Sequence, residues 1–256
     1  MKLLKSLLLA CAIFAAGAAQ AEKVTIAAAA DLKFAMDEIV TQFKAENPKE
    51  QIEVVYGSSG KFHTQIQQGA PYDLYFSADI AFAEQLVKAG HGASAVMPYA
   101  FGRLVLWSQS LDASKMTLDS LSDPKIARIA IANPKHAPYG KRAEEALRAI
   151  GLWDKVERKL VYGENIAHTA QFVQTGNAQV GIIALALALN PALADKGGYW
   201  LIPENLHAPL AQGFIITKRA AGNAGARRFA DYMKSKAARA TMTRYGFVLP
   251  GESSGK

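Results

Sequence analysis

The segment Gly57-Ser58-Ser59-Gly60-Lys61 holds the residue types most suggestive of chemistry in this chain. It fails three catalytic templates. A P-loop places four residues between its glycines and a hydroxyl residue after its lysine; here two residues separate Gly57 from Gly60, and Phe62 follows Lys61. A nucleophile elbow, G-x-S-x-G, needs glycine where Lys61 stands. Ser58 and Lys61 fit the S-x-x-K of penicillin-recognising enzymes, but the companion S-D-N and K-T-G motifs are absent from the sequence. An exported serine hydrolase using Ser58 and Lys61 is therefore kept only as an alternative. A simpler reading is a turn at a strand end that opens a helix at Ser59. Its free N–H groups and positive helix end suit an anion, and two hydroxyls add neutral donors. An ordinary N-cap serine is the plain structural account of the same residues.

The arrangement recurs. Ala27 to Ala30 are small, which lets a ligand approach the backbone closely, and Asp31 stands where a helix N-cap would. Asn133-Pro134 ends a strand before Pro138-Tyr139-Gly140 opens a helix, and Gly163-Glu164-Asn165-Ile166 repeats the pattern. Ligands of open α/β sheets sit at the carboxyl ends of strands. Four such ends, two from each half of the chain, predict a cleft. The five histidines, His63, His91, His136, His168 and His207, show no metal-ligand spacing, so no metal site is expected. Asp73 and Asp79 read as caps rather than an acid–base pair. Trp107, Trp153 and Trp200 read as core or lobe-edge residues rather than a sugar platform.

The elements that must position these residues follow from periodicity. Strands are expected over residues 23–29, 51–56, 73–77, 103–107, 126–132, 159–162, 180–184, 199–202 and 213–217. Helices are expected over 32–44, 59–68, 80–89, 139–150, 166–175, 220–236 and 238–245. This alternation predicts an α/β protein of mainly parallel sheets flanked by helices. There are too many strands for one small sheet, so two lobes are expected. Residues 22–100 with 213–256 form one and 101–212 the other, with a break at Met97-Pro98 and crossings near 99–102 and 209–213.

The 256 residues are 50% hydrophobic and 20% charged, an ordinary globular composition. Lys2 and Lys5, an apolar run from Leu7 to Ala19 and the small Ala19-Gln20-Ala21 site read as a signal peptide over residues 1–21, and hence as export. Leu8-Leu9-Ala10-Cys11 is a variant reading, a lipoprotein box. Removing the signal takes two of the 29 basic residues and none of the 22 acidic ones, leaving 27 − 22 = +5, without cysteine. That charge is scattered, with no basic stripe, which argues against nucleic acid.

In its spaced segments the chain resembles the periplasmic molybdate-binding proteins of ABC transporters. The matching segments are Ala28-Ala29-Ala30-Asp31-Leu32, Tyr56-Gly57-Ser58-Ser59-Gly60, the run from Gly69-Ala70-Pro71-Tyr72-Asp73 to Ser77-Ala78-Asp79, Asn133-Pro134-Lys135-His136-Ala137-Pro138-Tyr139-Gly140, and Arg244-Tyr245-Gly246-Phe247-Val248-Leu249-Pro250. The resemblance implies a two-lobed type II periplasmic-binding fold and a non-enzymatic binding protein, without a cofactor. It implies a monomer that captures molybdate or tungstate and passes it to a membrane permease. It places oxyanion-binding positions at Ala30, Asp31, Ser59, Tyr139 and Ile166. Two departures stand out. Ala184 occupies a position where some members carry tyrosine, and Asp31 one that usually carries serine or asparagine. A carboxylate beside a dianion is repulsive. It fits if Asp31 turns away to cap its helix, if it is a protonated donor, or if the ligand is a different anion such as sulfate or phosphate.

Overall fold

The computed structural model describes residues 23–194 and 198–252. The expected signal peptide, with Cys11, lies outside the described residues. The strands are β1 (Val24–Ala29), β2 (Ile52–Gly57), β3 (Leu74–Ser77), β4 (Met97–Gly102), β5 (Leu104–Trp107), β6 (Ile129–Ala132), β7 (Leu160–Gly163), β8 (Val180–Ala184), β9 (Tyr199–Leu201) and β10 (Leu210–Ile216). The longer helices are α1 (Lys33–Glu46), α2 (Ser59–Gln67), α3 (Ile80–Lys88), α4 (Pro138–Ala149), α5 (Ile166–Gln174), α6 (Ala224–Tyr232) and α7 (Lys236–Arg244). A 3₁₀ turn, Ala30–Leu32, joins β1 to α1.

Two five-stranded sheets form two lobes, with strand orders β2-β1-β3-β10-β4 and β7-β6-β8-β5-β9. Strand–helix alternation produces the parallel part of each: β1 pairs in parallel with β2 and β3, and β6 with β7 and β8. The sheets are nonetheless mixed. β10 runs antiparallel to β3 and β4, and β5 antiparallel to β8 and β9. Topology dictates this. β4 and β9 carry the chain out of their lobes at the carboxyl ends of the strands. Each crossing therefore enters the other lobe from the cleft side, and its first strand must run against its neighbours.

The expected crossings need correction. Phe101 and Gly102 pair with Ala211 and Leu210 inside the first sheet, so neither 101–102 nor 210–212 belongs to the second lobe. Pro98 argued against a strand, because it cannot donate to a ladder, but β4 is the sheet edge, where proline is tolerated. The ladder is also irregular there: Ala100 pairs with Gln212 and Pro98 with Gly213, leaving Tyr99 as an extra residue in a bulge.

Each lobe buries its own apolar cluster. One gathers Ile26, Met36, Ile39, Phe43, Phe76 and Phe229, and the other Leu104, Trp107, Ile131, Leu147 and Ile182. Phe76 stacks on Phe214 with ring centroids 4.4 Å apart. Among the described residues no helix is long and apolar enough to cross a membrane.

Candidate functional site

The carboxyl ends of β1, β2, β6 and β7 each lead into a helical start. These starts are the 3₁₀ turn at Ala30, α2 at Ser59, α4 at Pro138 and α5 at Ile166. The first amides of a helical turn have no acceptor within their own helix. All four starts converge on one cavity between the lobes, lined by Ala29, Ala30, Asp31, Gly57, Ser58, Ser59, Ala78, Ala137, Pro138, Tyr139 and Ile166. The five positions expected from sequence, Ala30, Asp31, Ser59, Tyr139 and Ile166, are thus brought together. The space between these residues is small, about that of a single water molecule. Among the described residues no lysine or arginine lines it.

Ser59 is fully buried, and its Oγ accepts the Ala78 N–H at 3.0 Å. With that lone pair used, the hydroxyl hydrogen is free to donate elsewhere. The Tyr75 hydroxyl donates to the Ser59 carbonyl at 2.8 Å and pins the turn to β3. Ser58 caps α2 through its backbone position only. Its Oγ lies 3.0 Å from Nδ1 of His136 in the other lobe. Burial pulls the His136 imidazole below its usual range, against the opposing pull of Glu164. Lys61 pairs with Glu164 across the cleft, not with Ser58. The S-x-x-K spacing therefore brings no lysine base to the serine.

Closure is tight on this side. The Gly60 N–H donates to the His136 carbonyl at 2.9 Å. A Cβ on Gly60 would stand 2.7 Å from that oxygen, which only glycine avoids. Arg142 reaches Asp79 of the opposite lobe at 3.4 Å. Asp79 caps α3 by accepting from Ala81, as expected. Asp73 instead accepts the Thr25 N–H at 2.8 Å and ties the edge of β1.

Asp31 overturns one expectation. It is not a capping residue: Ala29 and Leu32 hold the positions before the 3₁₀ turn and before α1, and neither makes a side-chain cap. Its side chain is 1% exposed, and Oδ2 accepts from the Tyr139 hydroxyl at 3.0 Å and from Gln212 Nε2 at 2.8 Å. Gln212 Nε2 also donates to the Tyr139 oxygen at 3.2 Å, while its Oε1 accepts from the Tyr99 hydroxyl at 2.6 Å. Oδ1 of Asp31 is buried without a partner. Burial raises the carboxyl from 3.8 to about 6, against the lowering effect of Gln212, Tyr139 and the backbone amides of Asp31 and Leu32. Burial and the adjacent Asp31 push the Tyr139 phenol well above its usual range. Because that hydroxyl serves Asp31, Tyr139 offers the cavity its position in the first turn of α4 rather than its phenol.

Sequence reading did not find Gln212 or Tyr99. Gln212 is the one amide side chain in the apolar run Leu210–Ile216, which is the signal that marks it. Tyr99 reaches it from the bulge, and no local pattern in sequence announces a bulge. Ala184 ends β8 fully buried and lies outside the cavity lining.

Residues 24–248 match the family model of bacterial extracellular solute-binding proteins. The chain is 36% identical to the molybdate-binding protein ModA of Azotobacter vinelandii, over 94% of both chains. It is 33% identical to ModA of Rhodobacter capsulatus, over 90% of both. Its fold superposes on the Azotobacter vinelandii periplasmic molybdate-binding protein with a TM-score of 0.84 at 31% identity, covering 89% of this chain and 99% of that one.

Proposed function

Since the chain belongs to the bacterial extracellular solute-binding protein family, we propose that it captures molybdate, and with it tungstate, and delivers the anion to the permease of an ABC transporter. The observation that carries this reading is the convergence of four helical starts and the Ser59 hydroxyl on one small cavity between the lobes that, among the described residues, holds no basic side chain. Neutral donors replace an anion's hydration without burying a counter-ion. The proposed ligand groups are the amides at Ala30, Asp31, Tyr139 and Ile166 and the hydroxyl of Ser59. Sulfate, with shorter bonds to oxygen, leaves such donors at longer range, so cavity size discriminates. The site binds and releases; it carries no reaction. The export signal and the periplasmic relatives support a periplasmic location, and we assign the protein as a monomer there.

The buried carboxyl of Asp31 favours a second reading, a hydrogen-bearing anion such as hydrogenphosphate whose proton Asp31 accepts. Thermal unfolding of the mature, ligand-stripped protein with molybdate, tungstate, sulfate and phosphate separates the two. A ligand at a hundred times its Kd adds about 2.7 kcal/mol. A rise with molybdate and tungstate alone supports the first reading, and a rise with phosphate alone replaces it by the second.

A further inference from the structure

The unpartnered Oδ1 of Asp31 is a ligand position that the neutral-donor picture does not explain. Oδ2 is saturated: two donors, Tyr139 and Gln212, converge on it, and the chain from Tyr99 through Gln212 fixes their orientation. Oδ1 has no partner, although the residue lines the cavity and is almost wholly buried. An ionised carboxylate, eased only by the nearby amides of Asp31 and Leu32, would therefore present to an incoming dianion a desolvated acceptor that no hydrogen bond occupies. Two like charges a few ångströms apart in such surroundings repel strongly, and the weaker acid of the pair takes up a proton.

Among the described residues no cationic side chain lines the cavity to offset this. The titratable groups facing Asp31 are Tyr139 from α4 and Tyr99 from β4, both neutral phenols. Gln212 from β10 is uncharged. Lys33, the nearest lysine in sequence, is turned to Asp37 at 3.2 Å and to the Tyr56 ring. His136 faces Ser58 and Glu164.

Resting on the oxyanion reading above, we propose that Asp31 is protonated in the filled site and donates a hydrogen bond from Oδ1 to an oxygen of the anion, so that each anion captured at neutral pH brings in one proton from solvent. The carboxylic acid then does the work of a neutral donor, with Oδ2 accepting from the protein and Oδ1–H donating to the ligand. Capture becomes tighter as the medium acidifies, and release is favoured by alkalinity.

The test is titration calorimetry with sodium molybdate at several pH values between 6 and 8.5, where molybdate stays a dianion. Each titration is run in two buffers of different ionisation heat, on the wild type and on Asp31→Asn. The expected result is close to one proton taken up per molybdate at the upper pH. Wild-type affinity should fall toward tenfold per pH unit there, as single-proton linkage requires. Asp31→Asn carries its own N–H donor at this position. It should show no proton uptake and a flat profile, and it should bind more tightly than the wild type at pH 8.5. Molybdate binding with a flat wild-type profile overturns the proposal and leaves the oxyanion reading standing. A slope that survives in Asp31→Asn assigns the proton to another group, such as His136, and also overturns it. Phosphate binding that Asp31→Asn abolishes makes Asp31 an acceptor instead. No binding of any oxyanion at any pH removes both the proposal and the reading under it.

Discussion

Asp31→Asn should shift the empty protein toward the closed arrangement of its lobes. In the closed form the carboxyl titrates at about 6 against 3.8 for the solvated group, a gap of about two pH units. Each unit corresponds to about 1.4 kcal/mol, so ionised Asp31 opposes closure by about 3 kcal/mol, on the order of a hundredfold in the open–closed ratio. The sign follows from the raised value. Below about 4 the acid is neutral in both forms and exacts no penalty. Closed-state stability is lost as pH rises through about 6, and above that the loss is complete. Asparagine escapes the loss. Its carbonyl can take the place of Oδ2 and keep the hydrogen bonds from Tyr139 and Gln212, while its amide takes the place of the orphaned Oδ1. Fluorophores placed one on each lobe, away from the cleft, report the distance in ligand-free protein. At pH 7.5 the variant should be more closed than the wild type, and near pH 3.5 the two should converge. Equal distances at pH 7.5 would show that Asp31 carries no such charge in the closed form, and the reasoning would fail.

Ser59→Ala deletes the acceptor of the buried Ala78 N–H and a donor to the anion. It should lower unfolding stability by about 1–3 kcal/mol and, by a loss of similar size, weaken molybdate ten- to a hundredfold, read by thermal unfolding and calorimetry. Gly60→Ala places a methyl group against the His136 carbonyl of the other lobe. Molybdate should then no longer contract the protein in small-angle X-ray scattering, although the ligand-free circular dichroism spectrum is unchanged. Glu164→Gln breaks the pair with Lys61, whose side chains are 44% and 50% exposed. An exposed pair contributes under about 1 kcal/mol, so stopped-flow release of molybdate should quicken only a few-fold, and less so at high salt.

The four helical starts were legible in the sequence because each is encoded locally, in a few consecutive residues that end a strand, turn and open a helix. The turns that open α2, α4 and α5 are read that way, whereas the choice of Ser59, Tyr139 and Ile166 as ligand positions is what the family resemblance implies; the sheets supply the convergence. For Asp31 the sequence left open whether the side chain caps its helix, and the structure turns its carboxyl to Tyr139 and Gln212. An aspartate before a helix caps it in most contexts, and only the Tyr139 and Gln212 donors, which lie far away in sequence, hold this one elsewhere. β4 was missed because Pro98 masks an edge strand, and the loss of β4 concealed the bulge that brings Tyr99 to Gln212.

The hidden network lies at the crossings, and this location links site and hinge. Gln212 is near the start of β10, just after one crossing. Gly102 ends β4, just before the other. A Cβ on Gly102 would stand 2.1 Å from the Tyr139 hydroxyl and 2.6 Å from Gln212 Nε2, so the crossing strand is packed directly on the pair that holds Asp31. Tyr139 comes from one lobe, Asp31 from the other, and Gln212 and Tyr99 from the strands that border the crossings. Rotation of the lobes disturbs the Tyr139 bond to Oδ2, while the Gln212 bond lies within one lobe. In this arrangement of the lobes the assembled site and the burial of Asp31 go together. A closed but empty site retains an orphaned buried oxygen, a cost of about 1–3 kcal/mol that a partner on Oδ1 removes. Filled and empty forms thus differ in closure free energy at the hinge itself, without a relay through the lobes.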